Sequence, residues 1–259
     1  MKMIKDGLVR RKNAQVTIFV IIALVIIAAG ILIYVFYPQI TGFGTSESPQ
    51  TFIQACLQEE VQKSVDIIST SGGSISPEHY ILYQGDRIEY LCYINEYYLP
   101  CVVQQPLLKN HIEKEIDEEI RQEVQDCFKQ LQKDYESKGY NVKISGGAYE
   151  TELLPKRIVV NFDRTLTLTK DSSENYDGFR VILNNNLYEL SAIANSIIEW
   201  ETRYGDAETT LYMSYYPDLK VEKKQQIDGS TIYILTDRNN ENKFQFASRS
   251  IAWPPGYGG

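Results

Sequence analysis

The chain has 259 residues, enough for one sizeable domain or two small ones. It carries 26 basic against 34 acidic residues, and once Lys2, Lys5, Arg10, Arg11, Lys12 and Asp6 are set aside the remainder holds 21 basic and 33 acidic, a formal charge of −12. So acidic a body repels phosphate backbones and anionic headgroups, which excludes nucleic acid as a partner.

In chain order, residues 1–14 form a basic leader, and from Asn13 to Ser46 there is no charged side chain. Within that stretch VTIFVIIALVIIAAGILIYVFY is almost wholly apolar. As a helix it spans about 33 Å, against a hydrocarbon core about 30 Å thick, so a transmembrane helix is expected over 15–38. A secretory signal is the competing reading, but its apolar stretch is about 7–15 residues and ends in small residues. The sequence YPQITGFG does not provide that ending. No basic residue follows the run until Lys63, so the positive-inside rule keeps the leader in the cytoplasm. The expectation is a single pass through the cell membrane with an extracellular C-terminal domain and the lipid bilayer as partner.

A linker over 39–50 leads to that domain, expected over 51–251. Ser48-Pro49 is a good cap and first turn. Phe52, Ile53, Cys56, Leu57, Val61, Val65 and Ile68 recur at helical spacing up to Ser71-Gly72-Gly73. From Pro77 to Pro106 the sequence is Tyr-rich and irregular; a sugar-binding or partner-binding surface would use such aromatics, but the preferred reading is aromatic cover for neighbouring helix ends. Pro106 then opens a long helix with the stripe Leu108, Ile112, Ile116, Ile120, Val124, Cys127 or Phe128, Leu131 and Tyr135, stopped at Gly139. Its acids Glu113, Glu115, Asp117, Glu118 and Glu119 are read as a solvated face rather than a cation site. Residues 156–170 alternate as a strand with FRVIL as partner, a third amphipathic helix runs from Leu187 to near Gly205, and LKVEKKQQI, STIYILTD and KFQFASRSI around the Asp228-Gly229 turn make a meander. The expected fold is α+β, amphipathic helices packed on an antiparallel β-meander. The Pro/Gly-rich 252–259 reads as a flexible tail.

All four cysteines lie beyond the apolar run. In an oxidising compartment an even count reads as two disulfides. A four-cysteine zinc site is the rival, but no C-x(2–4)-C knuckle occurs. Of the three connectivities, Cys56–Cys127 with Cys92–Cys101 is expected, because Cys56 and Cys127 sit on the apolar stripes of two helices that should bury them against each other.

The spacings G-x-S-x-G, H-E-x-x-H, G-x-x-x-x-G-K-[ST] and G-x-G-x-x-G are absent from the sequence. His79 and His111 are the only histidines and are read as surface residues. No catalytic residue, cofactor or metal ligand set is assigned.

The junction Arg11-Lys12-Asn13-Ala14-Gln15-Val16-Thr17-Ile18-Phe19 resembles the class III signal peptides of archaeal type IV pilin-like proteins, in particular an uncharacterised group of small-genome archaeal surface proteins with Q-V-T-[IV]-F starts. The resemblance implies cleavage between Ala14 and Gln15 by a prepilin-type peptidase, at the cytoplasmic face, so that the apolar helix survives as anchor or filament element. An ordinary anchor that shares this short motif is the competing reading. Small residues Ala23, Ala28, Ala29 and Gly30 would let helices approach closely, in self-assembly or against other surface proteins. The functional expectation is a membrane-anchored structural or adhesive cell-surface protein, with a pilin-like filament subunit as its specific form. An extracytoplasmic enzyme or ligand-binding receptor domain on a single-pass anchor is the alternative.

Overall fold

The computed structural model describes residues 48–254, together with Ile22 and residues 24–27, which are helical and exposed. Ala14, Gln15, the rest of the expected span over 15–38, residues 39–47 of the linker and residues 255–259 lie outside the described residues. Among the described residues no helix is long and apolar enough to cross a membrane. The chain divides into two units, 1–47 and 48–259, and the second holds every strand among the described residues.

Helix α1 (Pro49–Ser71) starts where Ser48 Oγ accepts from Thr51 N at 3.2 Å, with Pro49 in the first turn. Ile53, Leu57, Val61, Val65 and Ile68 are all buried, one stripe along its inner face. It ends at Gly72, whose φ of 89° is left-handed, and Gly73 N closes the turn on Ile68 O at 3.0 Å. A Cβ on Gly72 would also lie 2.8 Å from Glu89 Cβ, so glycine is needed for the approach as well as the backbone.

The Tyr-rich segment, expected to be irregular, forms β1 (Tyr80–Tyr83), β2 (Asp86–Tyr93) and β3 (Val102–Val103). β2 is buried continuously from Ile88 to Cys92, as befits a strand covered on both faces, so it lacks the alternation that marks a strand in sequence. Tyr90 and Tyr93 contact the His79 ring rather than capping helices, with centroids 4.9 and 4.2 Å away.

The long helix is interrupted at Ile120 (φ −80°, ψ 1°) into α2 (Leu108–Glu119) and α3 (Arg121–Ser137). The apolar stripe runs on across the break, buried from Leu108 to Tyr135. The two halves serve different partners: α2 is tied to a strand edge by its acids, and α3 to α1 by the Cys56–Cys127 bridge.

β4 (Asn141–Leu154), β5 (Arg157–Thr169) and β6 (Ser173–Leu183) form a three-stranded antiparallel sheet in that order. β4 was not expected. A bulge at Gly146/Ala148 flips the facing of its side chains midway, which erases the period-2 pattern; Gly146 has φ 83°, and a Cβ there would meet the Asp163 carbonyl. Helix α4 (Leu187–Tyr204), capped by Gly205, and the short α5 (Thr209–Tyr215) lead to β7 (Leu219–Gln225), β8 (Ser230–Asp237) and β9 (Lys243–Arg249), the expected antiparallel meander around Asp228-Gly229. These join β1–β3 in a sheet ordered β1-β2-β9-β8-β7, with β3 on β2. β2 and β9 pair in parallel, so the domain is α+β with antiparallel strands except at this junction.

Both edges of the small sheet are covered by helix side chains. Gln50 and Gln54, one turn apart on α1, lay their amides along β6: Arg180 N donates to Gln50 Oε1 at 3.2 Å and Ile182 N to Gln54 Oε1 at 2.9 Å, while both glutamine NH2 groups donate back to the carbonyls of the same residues. On the β4 edge, Glu113 accepts from Leu153 N at 2.8 Å and Asp117 from the Thr151 hydroxyl at 2.7 Å. Side chains thus stand in for missing strands and satisfy edge groups that would otherwise recruit other chains. Glu115 likewise accepts from Ile75 N at 2.7 Å. The acidic face is therefore corrected: Glu118 and Glu119 are exposed, whereas Glu113 and Glu115 hold backbone N–H groups and Asp117 holds the Thr151 hydroxyl. The first residues of the expected tail, 252–254, are within the described part. Ala252 is buried and accepts from Tyr98 N at 3.0 Å, and Trp253 meets the Tyr98 ring edge-on at 5.0 Å.

Candidate functional site

The cysteines stand in two pairs at disulfide distance, Cys56–Cys127 with Cα atoms 6.1 Å apart and Cys92–Cys101 with 5.4 Å. The first crosses the seam between α1 and α3; the second ties β2 to the start of β3. Among the described residues no group of three or more His, Cys, Asp or Glu side chains could hold a metal ion.

His111 is not an isolated surface residue. Its Nε2 lies 2.7 Å from Ser74 Oγ, and Ser74 donates to Glu89. Acid, hydroxyl and imidazole come from β2, the turn after α1, and α2. In a hydrolytic triad the imidazole stands between acid and hydroxyl. Here the hydroxyl stands between the other two and is only 5% exposed, an order that links three segments rather than activating a nucleophile. Burial pushes the Glu89 carboxyl up, opposed by the Ser74 hydrogen bond, His111 and Gln105. A raised folded-state pKa means the native state holds its proton more tightly than the unfolded chain. The contribution to stability is then fully present below the ordinary value of 4.5 and is lost as pH rises through the window above it. Asp117, also raised by burial, acts in the same direction. Glu89→Gln keeps an acceptor for Ser74 and removes one titration, so urea midpoints measured against pH should fall less steeply above 4.5 in the variant than in the parent. Identical slopes would show that Glu89 titrates normally.

Two cavities of similar volume are found among the described residues. One, of about 790 Å³, lies between the start of α1 and the small sheet, where Gln50 and Gln54 are already engaged by the β6 backbone. The other, of about 820 Å³, is bounded by α4, α5 and the β8–β9 turn, within the size range of small-molecule sites. α4 turns Leu190, Ala194, Ile197 and Ile198 toward the core. Its neighbouring flank, Tyr188, Ala192, Ile193 and Ser196, lines the cavity with Tyr212 and Tyr216.

The polar side of this cavity is a linked set of amides. Asp237 opens the turn by accepting from Asn239 N at 2.8 Å, and its other oxygen accepts from Asn186 Nδ2 at 2.7 Å. Asn242 Nδ2 in turn donates to Asn186 Oδ1 at 2.8 Å, so both ends of the Asn186 amide are held. Arg238 N bonds Asp218 O at 2.8 Å and clamps the turn to the start of β7. Glu189 accepts from Lys156 N through Oε1 at 2.9 Å, while its Oε2 is buried with no hydrogen-bond partner. None of these residues was singled out from sequence. They come from four separated segments, and only the N-rich clusters Asn184–Asn186 and Asn239–Asn242 could have drawn notice.

No protein-family model, curated protein or solved structure matches the chain.

Proposed function

We propose that this chain is a membrane-anchored, disulfide-stapled cell-surface protein whose extracytoplasmic α+β domain acts by binding. The observation that carries the reading is that all four cysteines lie on the far side of the uncharged run and stand in two disulfide-distance pairs. Such bonds persist in oxidising compartments and are rare in the cytosol. The basic leader and the run itself supply the anchor and its direction. Structural or adhesive work at the surface, in its specific form a pilin-like subunit cut between Ala14 and Gln15 by a prepilin-type peptidase, is the first form of this reading. The ligand-binding form is favoured by one further observation, the cavity of about 820 Å³ with convergent polar groups.

Protease added to intact cells should remove the C-terminal domain, and sequencing of the mature N-terminus should begin at Gln15. A domain digested only after lysis would overturn the topology. A start at Met1 would remove the pilin-like form and leave the plain anchor. Electron microscopy of surface preparations with and without the protein separates filament subunit from stand-alone domain.

A further inference from the structure

We infer that the folded domain joins Lys223 to Asp206 by an intramolecular isopeptide bond, an amide between the lysine Nζ and the aspartate Cγ. The bond forms within one chain, so it goes beyond the surface role proposed above and does not depend on it.

Lys223 stands where the strand pattern calls for an apolar side chain. In β7 the buried positions alternate, Leu219 at 4% exposure and Val221 at 6%, and Lys223 is the next residue on that face. It pairs with Tyr233 of β8, which is fully buried, and its Nζ lies 5.7 Å from the tyrosine ring centroid. Gly205, left-handed at φ 74°, ends α4 and turns the chain into Asp206, whose Oδ1 meets Lys223 Nζ. The same Nζ donates to Ala207 O at 3.3 Å. Among the described residues this is the one ion pair made by residues more than four positions apart. Its lysine side chain is 19% exposed, whereas the other ion-paired lysines are at least 42% exposed.

Those placements suit a condensation. Burial pushes the Lys223 amine below its ordinary value, with Glu201 opposing. A desolvated lysine amine is a nucleophile. Reacting groups held in contact reach effective molarities of about 10⁵–10⁸ M, enough to offset the preference of dilute amides for hydrolysis. The ammonium proton passes to the Asp206 carboxylate, which leaves a neutral amine beside a neutral acid. The nitrogen then attacks Cγ, the C–N bond forms, the bond from Cγ to the hydroxyl breaks, and one proton from nitrogen leaves with that hydroxyl as water. Nothing is oxidised or reduced. Glu201 is the group assigned to carry that proton. Its oxygens accept from the Tyr233 hydroxyl, Ala207 N and Ser248 Oγ, three of the roughly four acceptor positions of a carboxylate, and the fourth can take a proton. The product replaces an ammonium stripped of water by a neutral amide. The Asp206 side chain is 70% exposed, which gives the departing water an exit.

The bond would also close a loop around α5, a helix with no buried residue. A helix of seven residues with no buried face has little to hold it, and the amide would fix the chain on either side of it to one point.

The test is the mass of the full-length chain, purified in detergent with its disulfides reduced. Once its N-terminus has been sequenced, the parent should weigh one water molecule less than its sequence requires, while Lys223→Arg and Asp206→Ala should weigh what theirs require. Fragmentation of the tryptic digest should place the bond between Asp206 and Lys223, on a branched peptide that joins residues 204–220 to 221–224. Glu201→Gln, shown to be folded by circular dichroism, should lower the ratio of joined to free chain at least tenfold. A parent of full sequence mass would overturn the proposal, and so would a missing water that persists in Lys223→Arg. An unchanged ratio in Glu201→Gln would overturn the part given to Glu201.

Discussion

Replacing Cys56 and Cys127 together by serine is expected to destabilise the domain far more than replacing Cys92 and Cys101. The bridges span sequence separations of 71 and 9 residues. In the chain-entropy model a cross-link restricts the unfolded chain in proportion to the logarithm of the loop it closes, giving about 4.4 kcal/mol for the long loop and about 2.6 for the short one. The long bridge also lies in the packed seam where α1 and α3 meet, with Cys127 5% exposed, so two hydroxyls would take the place of sulfur beside Leu57 and Val124. The double variants can be compared by urea unfolding followed by circular dichroism. An equal loss in the two pairs, or a larger one for Cys92 and Cys101, would contradict the loop argument.

Glu201→Ala is expected to cost roughly 4 kcal/mol, because each buried donor left unsatisfied costs about 1–3 kcal/mol. Glu201 sits on the core side of α4 at 2% exposure. Its carboxylate accepts from the Tyr233 hydroxyl, from Ala207 N at 3.1 Å and from Ser248 Oγ at 3.0 Å, joining α4 to β8 and β9 and to the turn that follows the helix. Truncation orphans three donors at once and leaves a void. It also removes the negative charge that opposes the burial-driven lowering of the Lys223 pKa. Glu201→Gln retains one acceptor oxygen, and the Ser248 hydroxyl can rotate to accept from the new amide, so its loss should be well under half that of alanine. If alanine and glutamine cost the same, the carboxylate is not the tie between helix and sheet.

Much of the outline was legible locally. Ser48-Pro49 and Gly72 bracket α1, Gly205 ends α4, and Asp228-Gly229 turns β7 into β8, because caps and turns depend on the chemistry of a few adjacent residues. The cysteine pairing followed from two stripes, since a helix face that must be buried also says what it can touch. The same amphipathic stripe hid the break at Ile120, for the side-chain period continues through a one-residue change in ψ.

What the sequence determined by itself was thus the set of strongly periodic elements, the acidic balance and the grouping of the cysteines. The tertiary structure alone decided the rest. Tyr90 pairs with Ala247 across the parallel β2–β9 junction, a partnership between the two ends of the domain that no local pattern encodes. Gln50, Gln54, Glu113 and Asp117 looked like ordinary helix-surface residues and became substitutes for sheet neighbours, because a side chain's partner is set by which edge the fold brings beside it. The cavity follows the same logic. Asn186, Glu189, Tyr216 and Asp237 are unremarkable where they stand in the chain, and they come to line one cavity only when α4, α5 and the β8–β9 turn close around it.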